Sequence, residues 1–228
     1  MNSTVKLLSV SLGLLATLFL GAPAKAQDTD YRRGLQLHLA VPSGTAIYDA
    51  NGEKMFDDFL SGGFGASATF ERGLTSSGAV RARVEYLAFG GKTQKKEERR
   101  EIFDTPIYFS KSMDYSIYVA DLAADYVYGF ESLDAGLYVF GGLGCYFALG
   151  SGKFYGQDSD VDFRYSMEGG GASPGLSIGA GWRFTENKGC ELRYTTLTNL
   201  EQAIKYRSSS KNQKIDLNWL QVSYCYRF

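Results

Sequence analysis

In stretch after stretch between Arg32 and Phe228 apolar and polar residues alternate, and that period of two marks β-strands with one apolar face. The last nine residues, LQVSYCYRF, show it plainly. Leu220, Val222, Tyr224, Tyr226 and Phe228 share one face, whereas Gln221, Ser223, Cys225 and Arg227 share the other. Chain ends are usually loose and polar, yet this strand runs to its final residue and stops on an aromatic.

Eight such segments can be read. In RRGLQLHLAV, Leu35, Leu37, Leu39 and Val41 oppose Gln36, His38 and Ala40. GGFGASATFE sets Phe64, Ala66, Ala68 and Phe70 against Gly65, Ser67, Thr69 and Glu71. AVRARVEYLAF sets Val80, Ala82, Val84, Tyr86 and Ala88 against Arg81, Arg83 and Glu85. IYVADLAADYVY groups Tyr118, Ala120, Leu122, Ala124, Tyr126 and Tyr128 opposite Asp121 and Asp125. AGLYVFGGLGCYFAL is apolar on both faces, which leaves its orientation open. GLSIGAGWRF, GCELRYTTL and a last strand from near Asp216 complete the set. Long connections, at 42–60, 90–113, 149–173 and 199–214, alternate with short ones at 72–78, 129–134 and 185–188. That layout describes an up-and-down meander with both termini on the short-turn side.

The other end of the chain indicates a compartment. MNSTVKLLSVSLGLLATLFLGAPAKAQ has one early lysine, an apolar run and Ala24-Lys25-Ala26, the order of a secretory signal peptide. Cleavage is expected after Ala26, giving a signal of residues 1–26 and one domain of residues 27–228. Gln27 is not the cysteine a lipoprotein would need. Loss of Lys6 and Lys25 takes the formal charge from −1 to −3, which suggests no nucleic-acid partner. No second long apolar run offers a transmembrane helix.

An amphipathic strand can turn its apolar face to a protein core or to lipid. In a soluble barrel or sandwich the charges point out. In a membrane barrel the chain closes so that no backbone edge meets hydrocarbon, and the charges point into the lumen. Two features favour the membrane arrangement. The polar face is rich in Gly, Ser and Thr, which fit the crowded interior of eight strands. Aromatics also band at the short-turn end, namely Tyr126, Tyr128, Trp182, Phe184, Tyr224, Tyr226 and Phe228, where a membrane interface would hold them. The fold expected is all-β, an eight-stranded antiparallel up-and-down transmembrane β-barrel.

By parity Glu71, Arg81, Arg83, Glu85, Asp121, Asp125, Arg183, Glu191, Arg193 and Arg227 all face the lumen, five acids against five bases. Charge pairs among them are expected to close it, mostly in its short-turn half, with Arg183 opposite Glu191 and Arg83 opposite Asp121. Little steady conductance should result, rising after Arg83→Ala or Asp121→Ala.

The layout resembles the small eight-stranded outer-membrane barrels of Gram-negative bacteria, the OmpA-domain, OmpX and opacity-type porin family. VFGGLGCYFALG, SPGLSIGAGWRF, LRYTTL and the terminal YCYRF carry the resemblance, together with the signal peptide and the four-loops-three-turns plan. It implies that Tyr224, Tyr226 and Phe228 act as an assembly signal read by the barrel assembly machinery. It also implies an outer-membrane location among lipids and lipopolysaccharide. From the alternation of connection lengths, 90–113 and 149–173 are expected outside the cell and 72–78 and 185–188 in the periplasm. A monomer is expected.

Chemistry-bearing motifs are sparse. Gly169–Gly171 lacks the strand–turn–helix context of a phosphate loop, and no cofactor or metal is expected. His38 is the single histidine. The deacylases among membrane barrels would need a serine two residues later, where Ala40 stands, so a lumen packing role is preferred. Cys190 and Cys225 fall on opposite faces of neighbouring strands, which a disulfide does not allow. All three cysteines are therefore read as small buried hydrophobes. The run GGKTQKKEERREIFDTP mixes Lys92, Lys95, Lys96, Arg99 and Arg100 with Glu97, Glu98 and Glu101, a solvated loop or an anchor for surface phosphates. The function expected is a non-enzymatic outer-membrane barrel that supports the envelope and presents loops for surface contact or adhesion. The alternatives are a narrow channel or small hydrophobic-ligand conduit and, less favoured, a lipid A- or peptide-modifying enzyme.

Overall fold

The computed structural model describes residues 31–48, 52, 54–102, 105–158, 161–206 and 209–228; the expected signal peptide lies outside the described residues. Ten strands follow one another: β1 Tyr31–Tyr48, β2 Lys54–Asp57, β3 Leu60–Gly73, β4 Gly78–Gly91, β5 Gln94–Ile102, β6 Thr105–Gly129, β7 Gly136–Asp158, β8 Val161–Thr185, β9 Lys188–Tyr206 and β10 Ser209–Arg227. Eight of them form an antiparallel meander. It closes where β10 pairs with β1, from Gly34 opposite Arg227 to Tyr48 opposite Lys214. The amide of Phe228 extends that seam by donating to the Arg33 carbonyl at 2.9 Å. β2 and β5 are short additions that pair with the long-connection ends of β1 and β6.

The long connections are mostly ladder rather than loop, which corrects the expectation for 42–60, 90–113, 149–173 and 199–214. β6 and β8 run 25 residues and β7 runs 23, and β10 starts at Ser209 rather than near Asp216. Where side chains are described, the apolar residues of these extensions lie on the inner face, so the apolar stripe changes sides there.

β10 shows the reason. Ile215, Leu217, Trp219, Gln221, Ser223, Cys225 and Arg227 point inward without a break in period. Outward stand Lys214, Asp216 and Asn218, then Leu220, Val222, Tyr224, Tyr226 and Phe228. The strand therefore reverses its polarity between Asn218 and Leu220, from apolar-in to apolar-out. β6 reverses in the same way: Tyr115, Ile117 and Val119 are buried inside against outward Asp114 and Ser116, whereas Asp121 and Asp125 are inside against Leu122 and Tyr126. On β7 the outward face changes between Leu149 and Ser151. The reversal marks the edge of the apolar band, which in such barrels is about 25 Å tall. Beyond it the strands continue as a ladder, with Ile47, Phe59, Tyr115 and Ile215 buried inside near the edge.

Strand five of the sequence reading, now β7, turns Tyr138, Phe140, Tyr146 and Ala148 inward and Leu137, Val139, Leu143 and Phe147 outward. Tyr138 lies opposite Gly181 and Phe140 opposite Gly179 on β8. A Cβ on either glycine would overlap the ring beside it, so these two glycines are seats for aromatic side chains. That explains the alternating glycines of GLSIGAGWRF.

The ladders diverge at the hairpin end. Pairing of β8 with β9 stops at Gly175 opposite Leu197, although β8 reaches back to Val161 and β9 goes on to Tyr206. Among the described residues, the side of β8 away from β7 carries no ladder along 161–172. The described residues contain no helix long and apolar enough to cross a membrane.

Candidate functional site

Among the described residues, the lumen gathers the buried charge, and it is filled in three layers. At the short-turn mouth Glu71, on β3, accepts from Arg183 Nη2 at 3.0 Å and from Arg227 Nη2 at 2.6 Å. Arg32 approaches the same carboxylate at 3.7 Å and pairs with Asp134 at 2.7 Å. The turn between β6 and β7, residues 130–135, folds into this mouth. Its Leu133 side chain is buried against Ala79, Val127, Tyr138 and Phe140, and the Leu133 carbonyl accepts from both Arg183 and Arg227. The Ser132 hydroxyl accepts from the amides of Asp134 and Ala135, and Gly136 takes φ of +87°, which lets so tight a return re-enter β7.

The middle layer is a connected set of three arginines and four carboxylates. Arg81 bonds Asp125 at 3.1 Å and also Glu191. Arg193 donates to Glu85 and to Glu191, both at 3.1 Å. Arg83 approaches Asp125 at 3.4 Å, Asp121 at 3.5 Å and Glu85 at 3.7 Å. Rings insulate the guanidinium groups: Arg81 and Arg193 lie 4.6 and 5.0 Å from the Phe140 centroid, and Arg183 lies 4.2 Å from that of Tyr138. Ser177 donates to Asp125 and Tyr138 to Glu191, using acceptor capacity the arginines leave.

Above this, toward the hairpins, the interior turns apolar. Leu87, Phe89, Tyr115, Ile117, Val119, Tyr146, Leu217 and Trp219 form one cluster with Phe59 and Leu60. Phe89 and Tyr146 meet the Trp219 ring edge-on at 5.8 and 5.9 Å.

All ten charged residues expected in the lumen are on its inner face, nine of them buried and Arg227 half-buried. Their partners differ from the expectation in two respects. Arg83 stands opposite Ala123 and reaches Asp121 only diagonally, at 3.5 Å, because Glu85 holds the place opposite Asp121. Arg183 does not meet Glu191; their registers are Gly189 and Gly181 respectively, one step apart. Arg183 reaches Glu71 instead, and Glu191 turns to Arg81 and Arg193, because an interior eight strands wide lets long side chains pair across it. The apolar layer was missed. Continuing the parity of Arg83 and Glu85 to Leu87 and Phe89 would have found it. Arg32 was likewise legible as inward by its even spacing from Gln36 and His38.

His38 Nδ1 lies 2.8 Å from the Ser223 hydroxyl, and Nε2 lies 3.3 Å from Glu85 Oε2. Serine, imidazole and acid thus fall in line, but all three are buried, and Glu85 Oε2 already accepts from Arg193 and Gln221. A cavity of about 20 Å³, room for roughly one water, lies at the short-turn mouth beside Arg32, Glu71, Arg183 and Cys225. Among the described residues no group of three or more His, Cys, Asp or Glu could hold a metal ion. The cysteines divide: Cys225 is buried, Cys190 is half-buried and Cys145 is exposed on the lipid-facing side. The reading of all three as buried holds for Cys225 alone; Cys190 is on the outer face by its parity with Leu192, and Cys145 faces out because Tyr146 turns inward. Tyr224, Tyr226 and Phe228 stand on the outer face, with Tyr226 and Phe228 in edge contact at 5.2 Å.

A closed antiparallel barrel with lipid-facing apolar residues and an ionic interior defines a class of membrane protein, and the sequence comparison places the chain within it. The chain belongs to the outer membrane protein beta-barrel domain family, which matches residues 12–228. It is a protein of the bacterial outer membrane. Comparison with curated protein sequences gives no significant match. Among solved structures, the attachment invasion locus protein Ail of Yersinia pestis is similar at 10% identity and a TM-score of 0.43, over 87% of this chain and 99% of that one. OprG of Pseudomonas aeruginosa is similar at 12% identity and 0.45, over 89% and 97%. The outer membrane protease OmpT of Escherichia coli is similar at 10% and 0.46, over 90% and 99%.

Proposed function

We propose that this barrel is a closed, non-enzymatic anchor that supports the envelope and carries its long hairpins outside the cell for contact with other surfaces. One observation carries the reading: the strands overshoot the apolar band on one side only. A tilted strand crosses the bilayer in about 9–11 residues, whereas β6, β7 and β8 have 23–25. From Ser116 back to Thr105, β6 runs on for about 37 Å measured along the strand. Outer-membrane barrels keep short turns in the periplasm and long connections outside, so the extensions face the exterior.

The open side of β8 along 161–172 offers backbone donors and acceptors to an added strand. β5 on the far side of the same sheet reads QKKEERREI, and such dense charge deters pairing. The two solid layers of the lumen support anchoring over conduction. The enclosed His38, with no room for a substrate beside Ser223, supports a non-catalytic role.

The test shortens the β7–β8 hairpin by replacing 153–166 with Asn-Gly, a two-residue hairpin turn. Cells expressing this form should insert it with normal heat-modifiable mobility, yet adhere to protein-coated surfaces less than cells expressing the full chain. Adhesion equal to that of the full chain would overturn the reading.

A further inference from the structure

We propose that Asp121 carries a proton and donates it to Glu85, so that the two form a neutralised carboxyl pair at the centre of the lumen. The first ground is a charge count. The ion pairs of the middle layer connect Arg81, Arg83 and Arg193 to Glu85, Asp121, Asp125 and Glu191, three positive groups against four negative. The layer lies in the membrane-spanning part and is buried. A surplus charge there lacks the solvent that would stabilise it. The five-to-five balance of the whole lumen does not help, because Arg183 and Arg227 are held by Glu71 at the mouth.

The second ground is placement. Glu85 and Asp121 are directly opposed in the β4–β6 ladder, both pointing inward. Opposed residues in such a pair hold their Cβ atoms about 4.5–5.5 Å apart, and like charges there repel. Two carboxyl groups that share a site relieve this by keeping one proton between them.

The third ground is the pattern of unfilled hydrogen bonds. Neither oxygen of Asp121 accepts a hydrogen bond, nor does Glu85 Oε1. Glu85 Oε2, in contrast, accepts from Arg193 at 3.1 Å and from Gln221 at 3.0 Å, so a negative charge is better stabilised on Glu85 than on Asp121. A proton on Asp121 gives it something to donate and gives Glu85 Oε1 something to accept. The other groups facing the pair are Arg83 on β4, Tyr146 on β7, Arg193 on β9 and His38 on β1. An imidazolium at His38 would also balance the count. Its Nε2, however, makes no hydrogen bond, and Glu85 Oε2, 3.3 Å away, already accepts from Arg193 and Gln221.

Infrared spectroscopy decides the matter on the full barrel refolded into lipid vesicles at neutral pH. A buried protonated carboxyl shows a C=O stretch separate from the carboxylate bands. That band should be present in the unmutated protein and should shift when aspartate side chains carry 13C. It should vanish in Asp121→Asn and persist in His38→Gln. The isotope shift needs no substitution, so the result stands even where a variant fails to refold. Absence of the band, a shift with 13C-labelled glutamate instead, or an imidazolium signal for His38 in 15N NMR would each overturn the proposal. Survival of the band in Asp121→Asn would do the same.

Discussion

Replacing Arg193 by Ala should be the most damaging single change in the lumen. Arg193 has no exposed surface, and its guanidinium serves Glu85 and Glu191 at 3.1 Å each while approaching Asp125 at 3.8 Å. Its removal leaves two arginines facing four carboxyl groups and takes away one of the two cations beside the Phe140 ring, leaving Arg81 there alone. Breaking a buried pair by deleting one partner costs roughly 3–5 kcal/mol. Two carboxylates lose a donor together here, so the expected loss is about 4–5 kcal/mol, the upper end of that range. Urea unfolding of the barrel in lipid vesicles measures it. Trp219, buried in the lumen, serves as reporter once lipid-facing Trp182 is changed to Phe. Adding Glu191→Gln to Arg193→Ala should return about 1–2 kcal/mol, because contacting residues couple by amounts of that order. A loss below about 1 kcal/mol, the value of a solvated surface pair, would refute the claim that this layer is dry and interlocked.

Gly181→Ala should destabilise the barrel by about 1–3 kcal/mol in the same unfolding assay, the usual penalty for overfilling a packed site, since the new methyl meets the Tyr138 ring; Gly141→Ala, whose Cβ finds only Ser177 O at 3.8 Å, should be neutral. An apolar maleimide in detergent should label Cys145 and spare Cys225 until the protein is unfolded, as mass spectrometry of the peptides would report. Phe228→Ala should leave refolding into detergent nearly unchanged, because Phe228 is exposed to lipid, yet lower the amount inserted in cells; an equal fall in both would remove the assembly role.

Period two made most of the barrel legible. The apolar faces from Leu35 to Val41, Val80 to Ala88 and Leu220 to Phe228 are the lipid-facing ones, and the charges opposite them enter the lumen. What stayed hidden has a common cause. Period gives orientation, but it does not say which medium an apolar face meets. Where Ile215, Leu217 and Trp219 follow the inward parity of Gln221, the stripe changes sides, and a search for one apolar face ends the strand too early. β7 was ambiguous for a related reason: Tyr138, Phe140 and Tyr146 are as apolar as the lipid-facing residues between them, and only the glycines of β8 reveal where rings can seat. Pairing across the lumen, such as Arg183 with Glu71 or Arg81 with Glu191, is set by the closure of the sheet and leaves no local trace in the chain. The stopper Leu133 sits in a turn, where hydrophobic period carries no signal.

The central claim is that the lumen is closed twice, by the ionic layer and by the apolar layer around Trp219. Electrical recording of the purified, refolded chain in a planar bilayer tests this directly. The account predicts no steady conductance from the unmutated protein. It also predicts none from Arg83→Ala, because the apolar layer still closes the path; the sequence alone had suggested a rise. A large, stable, water-filled pore in the unmutated protein would contradict it.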